Sequence, residues 1–250
     1  MKPFDPSGPA LPTQAATLNP RPAAPPATRL LLIRHAEVEA GYQGVFGGRI
    51  DMDLSPRGHD QAGTMARYLH AKPLSAIYAS PMKRVQQTLA PLLLNGAPKP
   101  VILPDLREVD FGDWTGLSWD QVQAKFGVSA FSWLDHLECG GIANAECGET
   151  FRERVEPCLE RILADHAGEP VAIFCHGGVI RMVLSILLRW PLSSMAMFEI
   201  EYASLTQVAL LPHKPRLQLL NFAPWREMAS WSPTARHETS GPGKSATVTQ

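Results

Sequence analysis

This chain lacks most of the features that would place it in a specialised class. Its charges nearly cancel, to a formal −1 over 250 residues, so no global field draws it toward nucleic acid or an acidic membrane surface. No apolar run approaches the ~18 residues of a membrane span, and the first residues form no apolar signal core. The four cysteines, Cys139, Cys147, Cys158 and Cys175, show no C-x-x-C spacing. That spacing argues for reduced thiols, and against a zinc site or a disulfide framework. No internal repeat is visible. What remains is a globular balance of 45% hydrophobic and 19% charged residues. The expectation is a cytoplasmic protein without nucleic-acid or membrane partners, in which any anion site must rest on a local cluster of arginines.

Residues 1–28 hold eight of the 23 prolines, too little apolar area to offset their ordering entropy, and read as a disordered leader. The Ser-, Thr- and Gly-rich stretch 227–250 reads as a disordered tail. Between them, residues 29–226 alternate strand and helix patterns. A Gly-rich loop, Gly41 to Asp53, follows the first strand. Ser55-Pro56 and Ser80-Pro81 each supply a cap and a first-turn proline. Ala62, Met65, Ala66 and Leu69 mark one helix stripe; Val85, Thr88, Leu89 and Leu92 mark another. Leu74–Ala79 and Val101-Ile102-Leu103 read as strands. Residues 114–150 read as an insertion over the sheet edge, with a short helix started by a Ser118/Gln121 capping box and stopped at Gly127. A longer helix from Phe151 to Leu163 contains Pro157, which predicts a kink or a late start. Val179–Leu188 reads as a buried helix. Met197–Tyr202, Leu205–Leu211 and Leu217–Phe222 are the closing strand candidates.

Two apolar runs each end in a histidine: Leu30-Leu31-Leu32-Ile33-Arg34-His35 and Val171-Ala172-Ile173-Phe174-Cys175-His176-Gly177-Gly178. Runs of about five β-prone apolar residues read as strands buried on both faces. Open parallel sheets bind ligands just beyond the carboxyl ends of such strands. Three other features suit the same place. Ser80-Pro81-Met82-Lys83-Arg84 puts Arg84 in the first turn of a helix, where free N–H groups and the dipole favour an anion; a solvated basic turn is the alternative. Leu106-Arg107-Glu108-Val109 sets a carboxyl group among apolar neighbours, as a proton donor requires, unless Glu108 merely pairs with Arg107 or Arg152 on the surface. Gly177-Gly178 lets backbone approach a ligand closely, although a plain strand-to-helix turn uses the same residues.

R-H-A-E, S-P-x-x-R-x-x-x-T, L-R-E-x-x-F-G-D-W and C-H-G-G-V-I-R together resemble, in order and spacing, the histidine phosphatase superfamily, the phosphoglycerate mutase-like group. The likeness runs from about Arg29 to Phe222. It implies an α/β three-layer sandwich with a mostly parallel central sheet and helices on both faces. It implies His35 as nucleophile, Glu108 as proton donor, and Arg34, Arg84 and His176 (protonated) as the phosphate pocket. It implies no metal, no cofactor and a small phosphorylated substrate. The F-G-D-W-T-G stretch is similar to the phosphatase branch, which includes α-ribazole phosphatase, so net hydrolysis is expected. Ala36, Val38, Gly41 and Asp53 depart from the usual residues, Gly41 standing where many members place a phosphate-contacting Asn.

Mutase-type phosphoryl transfer and a non-catalytic phospho-ligand binder remain open alternatives. Cys175 and Arg181 also sit close to the cysteine-phosphatase signature, in which a thiolate would attack phosphorus, but Phe174 and Met182 depart from its flanking residues and that reading leaves Arg34, His35 and Arg84 unexplained. Trp114, Trp119, Phe131, Trp133 and His136 are candidates for a cap over the leaving group, or for core.

Overall fold

The computed structural model describes residues 26–226 except 95, 212 and 213. The expected leader, apart from residues 26–28, and the expected tail lie outside the described residues. Six strands form one sheet in the order β3-β2-β4-β1-β5-β6: β1 Thr28–Arg34, β2 Ala76–Ala79, β3 Val101–Ile102, β4 Pro170–Cys175, β5 Leu205–Leu211 and β6 Lys214–Phe222. The first four are mutually parallel, and β5 and β6 are antiparallel additions beside β1. Pleat alternation separates two cores. Leu31, Ile33, Ala172 and Phe174 pack against Met65, Leu69, Val85 and Leu89, from helices α1 (Pro56–His70) and α2 (Lys83–Leu93). On the other face, Leu30, Leu32, Val171 and Ile173 meet Phe151, Val155, Ile162 and Val183. These come from helices of the later chain, named below. The arrangement is the expected three-layer α/β sandwich with a mostly parallel sheet.

Local chemistry accounts for the helix boundaries. Ser55 caps α1 by accepting the Gly58 N–H, and Pro56 occupies the first turn, where no intrahelical donor is needed. Helix α3 (Trp119–Phe126) opens with the Ser118/Gln121 capping box and ends at Gly127 in the left-handed region, φ 69°. Helix α4 (Trp133–Glu138) follows, then α5 (Gly148–Asp165) and α6 (Gly177–Leu188).

Three expectations are corrected. Helix α5 starts early, at Gly148, and continues through Pro157; Pro157 and Glu153 are exposed, so the carbonyl that loses its donor meets water. Ser80 does not cap α2, which starts at Lys83 behind Met82. Asp51 Oδ1 accepts the Lys83 N–H at 2.8 Å instead. Met197–Tyr202 is not a strand: Ser193–Met197 is a 3-10 helix, and the carbonyls of Phe198 and Ile200 accept from arginine side chains rather than from a neighbouring strand.

Among the described residues no helix is long and apolar enough to cross a membrane. Because Phe151 is fully buried between α5 and the sheet while Phe131 is 77% exposed, the two truncations should separate. Phe151→Ala should cost about 3–5 kcal/mol and Phe131→Ala within roughly 0.5 kcal/mol in urea unfolding monitored by circular dichroism.

Candidate active site

Strand pairing sets the centre of the site. β1 and β4 run parallel with Arg34 opposite Cys175, and the His35 N–H extends the ladder by donating to the Cys175 carbonyl at 3.0 Å. His35 and His176 therefore leave the sheet side by side, their ring centroids 5.3 Å apart. The His35 Nδ1 lies 2.9 Å from the Ala36 carbonyl. A carbonyl only accepts, so Nδ1 carries the proton and Nε2 keeps its lone pair. The His176 Nε2 pairs with Ser80 Oγ at 2.9 Å, and its Nδ1 is buried without a protein partner.

Burial, then the charge of Arg84, holds both imidazoles well below their ordinary pKa. His176 is thus held toward its neutral form, whereas the protonated form expected from the sequence concerns the site with phosphate bound. Only an arriving anion would offset the charge of its neighbours.

Arg84 lies in the first turn of α2, as expected, and is 2% exposed. Its Nη1 and Nη2 donate to the carbonyls of Ile50 and Gly48 at 2.7 and 2.9 Å, so it also ties down the Gly-rich loop. Burial lowers its pKa to about 10, which leaves it a cation at neutral pH. Arg34 donates from Nη1 to the Ile200 carbonyl at 2.6 Å, while its Nε is buried and unpartnered. Glu108 makes neither surface pair that the sequence allowed. Its carboxylate accepts the N–H groups of Gly178 at 3.2 Å and Val109 at 3.1 Å. A Cβ on Gly178 would collide with that carboxylate, which gives the glycine a specific reason.

Arg34, His35, Arg84 and Glu108 line one cavity of about 240 Å³, with His176 directly behind His35. Four of the five predicted residues thus share a wall, and the fifth touches it. Arg181 and Tyr202 also line the cavity and were not among the predicted site residues. Arg181 donates to the carbonyls of Gly177 and Phe198 at 3.2 and 2.9 Å. Its place one helical turn past Gly177 was the available signal, but the sequence showed it only as the end of the C-H-G-G-V-I-R motif and as half of a cysteine-phosphatase reading, with no role assigned. Tyr202 carried no signal beyond lying in a presumed strand. Ser80, assigned to capping, is the hydrogen-bond partner of His176 instead.

Of the aromatic cap candidates, Trp119 and Trp133 line the cavity, joined by Phe46 and Phe111. Trp114 is core, packed on Phe46, Phe126 and His136, and the exposed Phe131 meets Trp119 edge to face. Gly41 lies outside the lining. Cys175 is fully buried in the core shared with α5 and α6, and burial pushes its thiol up, so it is no thiolate nucleophile. No group of three or more His, Cys, Asp or Glu side chains suited to a metal ion occurs among the described residues.

The family model of the histidine phosphatase superfamily (branch 1) matches residues 30–223. An adenosylcobalamin/alpha-ribazole phosphatase of Salmonella typhimurium is 30% identical over 200 residues, covering 79% of this chain and 98% of that protein. Phosphoserine phosphatase 1 of Hydrogenobacter thermophilus is 29% identical over 194 residues, covering 77% and 92%. Near-equal identity to phosphatases named for two unlike alcohols means that overall similarity does not select a leaving group. The solved alpha-ribazole phosphatase from Shigella flexneri superposes with a TM-score of 0.67 at 26% identity, over 77% of this chain and 96% of that one.

The two neutral imidazoles make stability depend on pH. Between their depressed values and the ordinary value near 6.5, the unfolded chain binds protons that the folded chain does not, so stability falls as pH drops through that window. Each histidine contributes a slope of up to about 1.4 kcal/mol per pH unit. Urea midpoints at pH 7.5 and 5.5 should differ accordingly, and His176→Gln should flatten the dependence. An unchanged slope in that variant would count against a neutral His176.

Proposed function

Because the chain belongs to the histidine phosphatase superfamily, branch 1, we propose that it hydrolyses the phosphomonoester of a small metabolite through a phosphohistidine on His35. The carrying observation is the pair of imidazoles at adjacent strand ends, with the His35 Nε2 unprotonated and the arginines around it. Three arginines and one carboxylate line the cavity, the imidazoles being neutral. The resulting net charge of about +2 matches a phosphomonoester dianion.

In the first step the His35 Nε2 lone pair attacks phosphorus, the P–O bond to the alcohol breaks, and Glu108, which takes up a proton when the phosphate dianion binds beside it, gives that proton to the leaving oxygen. In the second, Glu108 as carboxylate takes a proton from water, which attacks phosphorus. The P–N bond breaks, inorganic phosphate leaves, and His35 returns to its neutral form. Arg34, Arg84 and Arg181 face the charge that spreads over the equatorial oxygens, with His176 behind them. The buried, unpartnered Nδ1 of His176 and Nε of Arg34 are the groups that an oxyanion would satisfy.

Beyond the phosphoryl group, the lining is mostly apolar and aromatic, with Val45, Phe46, Met52, Phe111, Trp119 and Trp133, and Tyr42 adds a hydroxyl-bearing ring. The ammonium and carboxylate of a phosphoserine would lose water against such a surface with few partners, whereas a planar ring would stack on it. This supports a leaving alcohol that carries an aromatic or heteroaromatic ring, the chemistry of an α-ribazole-type substrate. Mutase transfer has no supporting feature of its own here.

Three measurements test the proposal. His35→Ala should reduce phosphate release to background, whereas Cys175→Ser should retain it. An acid-labile, alkali-stable phosphoryl group on His35 should be trapped by rapid quench; its absence during turnover rejects the mechanism. On a panel of phosphomonoesters, ring-bearing alcohols should exceed phosphoserine and phosphoglycerates in kcat/KM. Separately, Gly178→Ala should push Glu108 aside and lower kcat by roughly 10²-fold or more, with phosphate affinity changed far less.

A further inference from the structure

Residues 198–204, which overlap the expected strand Met197–Tyr202, enclose Arg34. The Ile200 carbonyl accepts from its Nη1 at 2.6 Å, and the Ser204 carbonyl accepts from its backbone N–H at 3.1 Å. The Tyr202 ring lies 4.1 Å from the guanidinium carbon. The same ring stands 5.5 Å from the His35 imidazole and lines the cavity.

The backbone that delivers this ring is strained. Ala203, fully buried, has φ 47°, a left-handed conformation that residues with a Cβ other than Asn and Asp seldom adopt. Two hydrogen bonds maintain it: the Ala203 N–H donates to the His35 carbonyl, and the Trp225 indole N–H donates to the Tyr202 carbonyl, both at 3.0 Å. Strain retained by surrounding bonds directs attention to what it positions. Here the turn places the preceding side chain over Arg34 and His35.

We infer that Tyr202 is a positioning residue of the anion pocket: its ring fixes the plane of the Arg34 guanidinium so that the N–H groups not used by Ile200 meet the phosphoryl oxygens. One carbonyl contact leaves a guanidinium free to pivot about that bond. A ring face against its plane removes the pivot and adds cation–π attraction. The inference rests on the cavity being a phosphate site, and so its test reads phosphate binding rather than turnover.

Inorganic phosphate binding to the full chain should be measured by calorimetry for the wild type, Tyr202→Phe and Tyr202→Leu, and for Tyr202→Leu on an Arg34→Gln background. Tyr202→Leu should weaken binding roughly 3- to 30-fold, and Tyr202→Phe, which keeps the ring, should recover most of that loss. On Arg34→Gln the leucine should add less than roughly 2-fold, because the ring acts through the guanidinium. A packing role alone would lower the ligand-free thermal midpoint without this dependence on Arg34. Tyr202→Met, bulky but without a ring face, replaces Tyr202→Leu if the latter does not fold. The clamp is overturned if the leucine variant binds as the wild type does, if Phe loses as much as Leu, or if the full penalty persists without Arg34. A wild type that binds phosphate but releases none from esters overturns only the hydrolase reading. A wild type that binds no phosphate overturns the site reading and the clamp together.

Discussion

Parallel pairing of β1 with β4 in a single register is the constraint from which the site follows. With Arg34 opposite Cys175, the next residue on each strand leaves the sheet at the same height, and two imidazoles 141 positions apart in sequence become neighbours. A slip of one residue would send every side chain on the moved strand to the opposite face. It would turn the Leu30 and Leu32 face toward α1 and α2 and separate the histidines by a full residue rise. Burial on both faces therefore specifies the register that the chemistry uses. The geometry of the site is a by-product of core packing at the strand ends.

Three arginines and two histidines in a largely dry space would be unstable without compensation. The compensation is visible atom by atom. Both imidazoles are neutral. Each arginine donates to backbone carbonyls: Arg84 to Gly48 and Ile50, Arg34 to Ile200, and Arg181 to Gly177 and Phe198. Peptide dipoles thus bear part of the charge, and Glu108 answers another part. This explains why the segments around Gly48 and Phe198 are irregular, since their carbonyls face guanidiniums and not a strand partner. It also explains why the site is preorganised, since the donors are oriented before any anion arrives.

Much of this was legible in the residues. Strands buried on both faces announce themselves as short apolar runs, and Ser55-Pro56, Ser118 with Gln121, and Gly127 mark helix ends through their own local chemistry. Motif order brought His35, His176, Arg34, Arg84 and Glu108 together before any geometry was known. What stayed hidden was long-range competition for hydrogen bonds. Ser80 reads as a cap because its neighbours are local, yet a histidine 96 positions away takes its hydroxyl. Met197–Tyr202 alternates like a strand, but Arg34 and Arg181 take its carbonyls. Protonation was hidden as well: burial and then Arg84 hold the His176 pKa down, and the residues responsible are distant from it in sequence.

The cavity divides into a polar floor and an aromatic wall, and the two come from different parts of the chain. The floor is built on strand ends and helix starts, where a displacement would disturb the core. Trp119 and Trp133 of the wall belong to the 114–150 segment, whose helix α4 packs on α5 and on the 3-10 helix Ser193–Met197. Phe46 joins them from the Gly-rich loop, stacking nearly parallel to Trp119 with ring centroids 6.1 Å apart. Substitutions in the wall would change which alcohol is accepted while leaving the phosphoryl geometry intact. Relatives of near-equal identity named for unlike alcohols are what such a division allows. Among residues lining the cavity, Arg34, Arg84 and Arg181 are the cations, and all three already donate to main-chain carbonyls. A leaving group with its own carboxylate would have to compete with those bonds, or with the phosphate, for a partner. A flat, uncharged ring would compete with neither.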